Sequence, residues 1–132
     1  MFEFEKGLFM SVLFLEYPKC STCKKAQTWL EDQGLDYQLR DIKTQNPTQE
    51  ELRQWHAQSG LPLKRFFNTS GQQYRALGLR DRLASMGEEE QLVILASDGM
   101  LVRRPVLVWE NGVLLGFREV EWQEALEGHT EG

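Results

Sequence analysis

Cysteine is scarce in this 132-residue chain, which carries only Cys20 and Cys23. Two cysteines cannot build the multiply bridged framework of a small secreted scaffold. Histidine is equally scarce. His56 and His129 lack ligand spacing and no second CxxC exists, so a zinc site lacks its donors. Positive charge is short as well: 15 Lys and Arg face 20 Asp and Glu, a net charge of −5. That balance argues against direct nucleic-acid binding by phosphate neutralisation. No apolar run approaches the roughly 20 residues that span a bilayer; the longest, Leu8 to Leu15, is interrupted by Ser11. Glu3 and Glu5 beside Lys6, with no small-residue cleavage site after the run, make a poor signal peptide. What is present, 41% apolar and 27% charged residues, is the balance of a globular domain long enough to bury its own core. The expectation is a cytoplasmic protein without membrane contact.

Residues before Met10 fit no periodic pattern and are expected to form a flexible extension. Val12 to Leu15 is a short, apolar, β-prone run ended by Tyr17-Pro18 and predicts a buried strand. Cys23, Ala26, Trp29 and Leu30 then recur at helical spacing, with Gly34 as the stop. A second strand is expected from Tyr37 to Ile42, completing a βαβ unit with parallel pairing. The middle reads as helices. Thr48 with Glu51 forms a capping box, and the helix stops at Gly60. Pro62 to Phe67 is expected to make a short helical turn, Tyr74 and Leu77 a short helix ended by Gly78. Ser85 with Glu88 reads as a second capping box before Leu92, Leu95 and Ala96. Val106 to Trp109 and Val113 to Phe117 flank Glu110-Asn111-Gly112, a hairpin signal. A last helix uses Trp122, Ala125 and Leu126, and the tail from Gly128 to Gly132 is expected to be loose.

Cys20-Ser21-Thr22-Cys23 falls where a strand gives way to a helix. A thiolate at a helix N-terminus faces unpaired backbone N–H groups and the positive end of the macrodipole, which favour it as a nucleophile. A second cysteine one turn on is placed to attack a mixed disulfide formed on the first. Cys20 is therefore the expected attacking thiol and Cys23 the resolving one. Lys19, Lys24 and Lys25 add positive charge nearby, and Glu16 opposes it. The plainer alternative is two thiols packed as small hydrophobes.

Arg103-Arg104-Pro105 precedes the third strand. A proline there can mark a cis bond in a tight turn, from which Arg104 could hold an anion or stabilise the Cys20 thiolate. The alternative is a surface arginine pair before an edge strand. Lys64, Arg65, Arg75, Arg80 and Arg82 make the middle locally basic, commonly the mark of a solvated helix face. Phe66-Phe67, Trp29, Trp55 and Trp122 read as core, and Trp109 on the hairpin as partly exposed.

Together, Tyr17 to Ala26 around the CxxC, Phe67-Asn68-Thr69-Ser70-Gly71 and Arg103-Arg104-Pro105 resemble the ArsC/Spx family over roughly Val12 to Leu126. The resemblance implies an α/β, thioredoxin-like fold with a helical insertion between the βα unit and the C-terminal β-hairpin and helix. It implies a single domain over 10–127, flanked by an extension, 1–9, and a tail, 128–132. It also implies a cis Pro105 facing the cysteines. Cys20 matches the family's catalytic cysteine, and Arg104 an arginine with which its arsenate reductases bind the oxyanion. Asn68 stands where those enzymes have another arginine, Arg118 lies beside the position of a third, Glu16 replaces a histidine, and Cys23 replaces a serine. Losing one charge-assisted contact of about 1.5–3 kcal/mol weakens anion binding by ~10-fold or more, which leaves arsenate open as the substrate. The implied activity is that of an arsenate reductase-like thiol–disulfide oxidoreductase. It would use no bound cofactor, and its dithiol would be regenerated by thioredoxin, glutaredoxin or glutathione. Its site would comprise Cys20, Cys23 and Arg104, with Pro105, Asn68 and Arg118 toward the substrate. The other branch of the family implies a redox-sensing regulator that binds the RNA polymerase α subunit. Gly60 falls near the segment used for that contact, among neighbours that differ.

Overall fold

Strand β1 (Leu13–Glu16) starts the fold in a computed structural model that describes residues 11–131, with side chains from 11 to 127. The expectation for residues 1–9 lies outside the described residues. The chain divides into two compact units, one built from residues 11–40 and 104–131, the other from Asp41–Arg103.

In the first unit β1 leads to helix α1 (Ser21–Asp32) and strand β2 (Gln38–Asp41). The chain re-enters through strands β3 (Val106–Trp109) and β4 (Gly112–Leu115) and ends in the last helix, α6 (Glu119–Glu131). Among the described residues these strands form one sheet in the order β2-β1-β3-β4. Strand β3 runs antiparallel to both neighbours, with Phe14 opposite Leu107 and Leu107 opposite Leu114. Helix α1 buries Cys23, Ala26, Trp29 and Leu30, the stripe expected of a 3.6-residue period. Past the helix, Gly34 takes φ 72°, a left-handed value that a side chain would strain.

Trp122 centres the core. It is fully buried and meets Phe14 and Trp29 edge-on, at centroid distances of 6.4 and 6.2 Å. Such pairs add about 0.5–1.5 kcal/mol each beyond the area they bury. The indole N–H donates to the Gly116 carbonyl at 3.0 Å, so its one polar atom is satisfied.

Two sequence expectations for the hairpin are corrected. Trp109 pairs directly with Gly112, so Glu110-Asn111 alone form the turn. Trp109 is also only 5% exposed rather than partly open. The glycine explains this, because its bare face lets the indole lie where a Cβ would be 3.3 Å from the ring. Strand β4 ends at Leu115, two residues short of Phe117, because Gly116 turns the backbone to φ 72°. The backbone of α6 is helical to Glu131; the expected looseness from Gly128 concerns residues whose side chains are not described.

The second unit holds four helices, α2 (Gln49–Ser59), α3 (Gln72–Ala76), α4 (Leu79–Arg82) and α5 (Glu88–Ser97), with 3-10 turns at Leu63–Phe66, Leu83–Ser85 and Gly99–Leu101. The Thr48–Glu51 capping box is present in both directions, at 3.0 and 2.9 Å. Gly60 closes α2 in the left-handed conformation. Ser85 does not cap α5. Its hydroxyl donates to the Arg82 carbonyl at 3.0 Å and closes the preceding 3-10 turn, so α5 begins later, from Gly87. Glu88 is therefore the first residue of the helix rather than its third. Helices α2 and α5 are joined by an ion pair, Arg53 to Glu89 at 2.7 Å, and by a contact of His56 Nδ1 with a Glu88 carboxylate oxygen at 2.9 Å. Among the described residues no helix is long and apolar enough to cross a membrane.

Candidate active site

The end of β1 determines where the first cysteine sits. Tyr17-Pro18-Lys19 folds into a turn that the Cys20 N–H closes on the Tyr17 carbonyl at 2.9 Å. Cys20 then takes an extended conformation (φ −96°, ψ 116°) and becomes the N-cap of α1. Its carbonyl accepts the Lys24 N–H at 3.2 Å, and its Sγ accepts the Cys23 N–H at the same distance. Sulfur thus does here what a serine or aspartate oxygen does at most helix starts: it satisfies an orphan N–H. An anionic acceptor strengthens such a bond.

Both cysteines are free thiols, Cys20 half-buried and Cys23 fully buried. The Cys23 thiol is pushed up to about 12, first by burial and next by its side-chain hydrogen bond with Cys20. A backbone hydrogen bond from Tyr17 works the other way, while the charges of Cys20 and Glu16 raise it further. Among the described residues Glu16 is the one buried charged residue. Lys19, Lys24 and Lys25 are exposed.

Arg104 belongs to the same unit, and its bond to Pro105 is cis. The guanidinium carbon lies 5.3 Å from the centre of the Tyr17 ring. Tyr17 therefore joins Arg104 to the cysteine turn: its ring holds the arginine and its carbonyl holds the Cys20 N–H. Stacking of this kind contributes about 0.5–2 kcal/mol. The Nε and Nη1 atoms of Arg104 are buried without a hydrogen-bond partner. Buried donors left unmatched cost about 1–3 kcal/mol each, a cost that an anionic oxygen would relieve.

The other expected substrate residues, Arg118 and Asn68, have contacts of their own. Arg118 is exposed just before α6, where its carbonyl accepts the Trp122 N–H at 3.0 Å. Asn68 belongs to the helical unit, donating to the Met100 carbonyl at 3.4 Å and accepting from the Ser70 hydroxyl at 3.4 Å. Its amide is engaged in holding that loop. Tyr17 belongs to the sequence motif but is not among the residues the sequence predicts in the site. The available signal was its spacing, three residues before Cys20 in a turn that must place a carbonyl at the cysteine N–H. Glu16 is expected from the sequence to act on Cys20; in the structure its charge raises the Cys23 thiol and the Tyr37 hydroxyl. Among the described residues no cluster of three or more His, Cys, Asp or Glu could hold a metal ion.

The pattern of the ArsC family matches residues 15–125. The chain is 49% identical over 115 residues to the uncharacterized protein YusI of Bacillus subtilis, covering 87% of this chain and 98% of that one. It is 28% identical to the regulatory protein MgsR of Bacillus subtilis, over 82% of this chain and 84% of the relative. Among solved structures, one described as a possible arsenate reductase from Streptococcus mutans superposes with a TM-score of 0.80 at 49% identity, covering 88% of this chain and 97% of that one. The fold class expected from the sequence, a thioredoxin-like sheet with a helical insertion, is the one found.

Proposed function

The chain belongs to the ArsC family, and from that premise we propose that it is a thiol-dependent oxidoreductase using Cys20 as nucleophile and Cys23 as resolving thiol. The observation that carries the reading is the Cys20 sulfur capping α1 while accepting the Cys23 N–H at 3.2 Å, with the second thiol buried behind it.

The chemistry is a two-electron exchange. The Cys20 thiolate attacks one sulfur of a substrate disulfide, a Cys20–substrate disulfide forms, and the other half leaves as a thiolate that takes up a proton. Cys23 then loses its proton and attacks the Cys20 sulfur, releasing the second half as a thiol. The substrate gains two electrons and two protons, and the protein is left with a Cys20–Cys23 disulfide. An external thiol (thioredoxin, glutaredoxin or glutathione) returns the two electrons. Burial keeps Cys23 protonated, hence silent toward outside electrophiles, until a mixed disulfide on Cys20 offers it a target one helical turn away. Arg104, held over Tyr17, would favour substrates with an anionic group near the reacting sulfur. Pro105 contributes the turn that presents Arg104. Asn68 and Arg118 remain candidate substrate contacts.

The test is a screen of arsenate and of neutral and anionic disulfides with each thiol donor, following thiol release. Turnover of disulfides that requires Cys20 supports the reading; turnover of none of them by any donor overturns it.

Relatives named as regulators, MgsR and an Spx 2 of Bacillus anthracis at 25% identity over 81% of this chain, favour a second reading. Here the same dithiol is a sensor in a cytoplasmic regulator that docks on RNA polymerase. Retention of the polymerase α subunit by one redox form, together with absent disulfide turnover, would select it.

A further inference from the structure

The helical unit Asp41–Arg103 contains a cavity of about 750 Å³ that the dithiol chemistry does not use. That volume is within the range of about 300–1,000 Å³ common for small-molecule sites. Its inner surface is apolar: Phe67 and Leu83 are buried there, and the Tyr74 ring sits 6.2 Å from that of Phe67. Four cations line the same space, Lys64, Arg65, Arg80 and Arg103.

The placement of these cations is selective. From Pro62 to Met86 the chain carries five basic residues against one acidic residue, Asp81, on a protein whose net charge is −5. Two of the five are used by the fold: Arg75 donates to the Ser70 carbonyl at 2.9 Å and Arg82 to the Leu77 carbonyl at 2.7 Å. Neither lines the cavity. The four that do make no side-chain hydrogen bond or ion pair among the described residues. Like charges gathered around one cavity repel one another, and a polyanion removes the repulsion while gaining several charge-assisted bonds.

The inner wall adds a second requirement. Gln91 lines the cavity, and its Nε2 is tied to the Leu83 and Met86 carbonyls at 3.4 and 3.2 Å. This leaves its Oε1 buried without a hydrogen-bond partner. A bare inorganic anion would leave the apolar wall unused, and a hydrocarbon tail would leave Oε1 unmatched. A flat heterocycle bearing an N–H, joined to phosphate, satisfies both.

We propose that this cavity binds a nucleoside phosphate. The phosphates lie against Lys64, Arg65, Arg80 and Arg103, the base lies against Tyr74, and a base N–H donates to Gln91 Oε1. The site is independent of the thiol chemistry.

The probes are ADP, pyrophosphate and adenosine, titrated calorimetrically into the intact protein. ADP is expected to bind at least ~10-fold more tightly than either half, since base and phosphate each add contacts. Arg80 is exposed, and Arg80→Ala should weaken ADP by ~10-fold or more while changing adenosine binding less than about 2-fold. Thermal unfolding and the rate of Cys20 alkylation should be unchanged, which separates this site's failure from failure of the dithiol reading. Pyrophosphate binding as tightly as ADP, no ADP heat up to millimolar concentration, or full ADP affinity in both Arg80→Ala and the Lys64→Ala/Arg65→Ala double variant would overturn the proposal.

Discussion

The guanidinium carbon of Arg104 lies 5.3 Å from the centre of the Tyr17 ring, and the Tyr17 carbonyl holds the Cys20 N–H at 2.9 Å. One tyrosine therefore positions both the cation and the nucleophile. Arg104→Ala should slow reaction with an anionic disulfide by ~10-fold, the loss of one charge-assisted contact, and leave a neutral disulfide nearly unaffected. Tyr17→Leu keeps the backbone bond and should give a smaller loss in the same direction. Second-order rate constants for the two disulfide classes check both. Equal losses for both classes would show that Arg104 acts through the fold and not on the substrate.

The Cys23 thiol, pushed up to about 12 by burial and its bond with Cys20, should resist alkylation. At pH 7 iodoacetamide should modify Cys20 while Cys23 stays unlabelled, and Cys23 labelling should appear only as the pH climbs well past the ordinary thiol range. Glu16→Gln removes one of the charges that raise this thiol. It should shift the onset of Cys23 labelling to lower pH, though modestly, because burial is the larger cause. Peptide mass spectrometry reads both effects.

The same displacement is a statement about stability. In the unfolded chain a thiol releases its proton near 9, whereas in the folded chain Cys23 keeps it to about 12. Between those values the unfolded state binds fewer protons, so stability falls as pH rises. The contribution is complete below 9 and lost progressively toward 12. Urea denaturation at pH 8 and pH 10.5 should show a larger loss for the parent protein than for Cys23→Ala, and equal losses would refute the assignment.

Gly99 should tolerate no side chain. A Cβ there would collide with the Ile42 carbonyl oxygen and lie 3.2 Å from Asn46 Cβ. Since backbone cannot rotate out of the way as a side chain can, Gly99→Ala should cost at least about 1–3 kcal/mol. Thr48→Ala, which removes the cap of α2, should cost about 1 kcal/mol. Thermal unfolding should rank the two variants in that order.

Local chemistry explains what could be read from the sequence. The cysteine spacing at a strand-to-helix junction, the Thr48–Glu51 box and the stripe through Cys23, Ala26, Trp29 and Leu30 each depend on residues within a few positions of one another. Features decided by a competing local contact, by the geometry of a turn or by a distant partner were not legible. Ser85 met the pattern of a cap, but its hydroxyl was already engaged with Arg82. Trp109 is buried because Gly112, opposite it in the hairpin, leaves room for the indole. Helix α4 is four residues long, too short for any periodicity to show. In the site, Tyr17 could be seen as part of a motif, but its contact with Arg104 joins segments nearly ninety positions apart.

The most direct test of the dithiol assignment is a single exposure of Cys23→Ser to glutathione disulfide, followed by intact-mass and peptide analysis. Serine keeps the backbone N–H that donates to the Cys20 sulfur and replaces the resolving sulfur with oxygen. The prediction is one glutathione held on Cys20 as a stable mixed disulfide. The parent protein should pass through that adduct to a Cys20–Cys23 disulfide, two hydrogens lighter than the starting dithiol (~2 Da). A parent protein that instead stops at a stable glutathione adduct, or a Cys20→Ser variant that captures glutathione on Cys23 as fast as the parent reacts, would contradict the account.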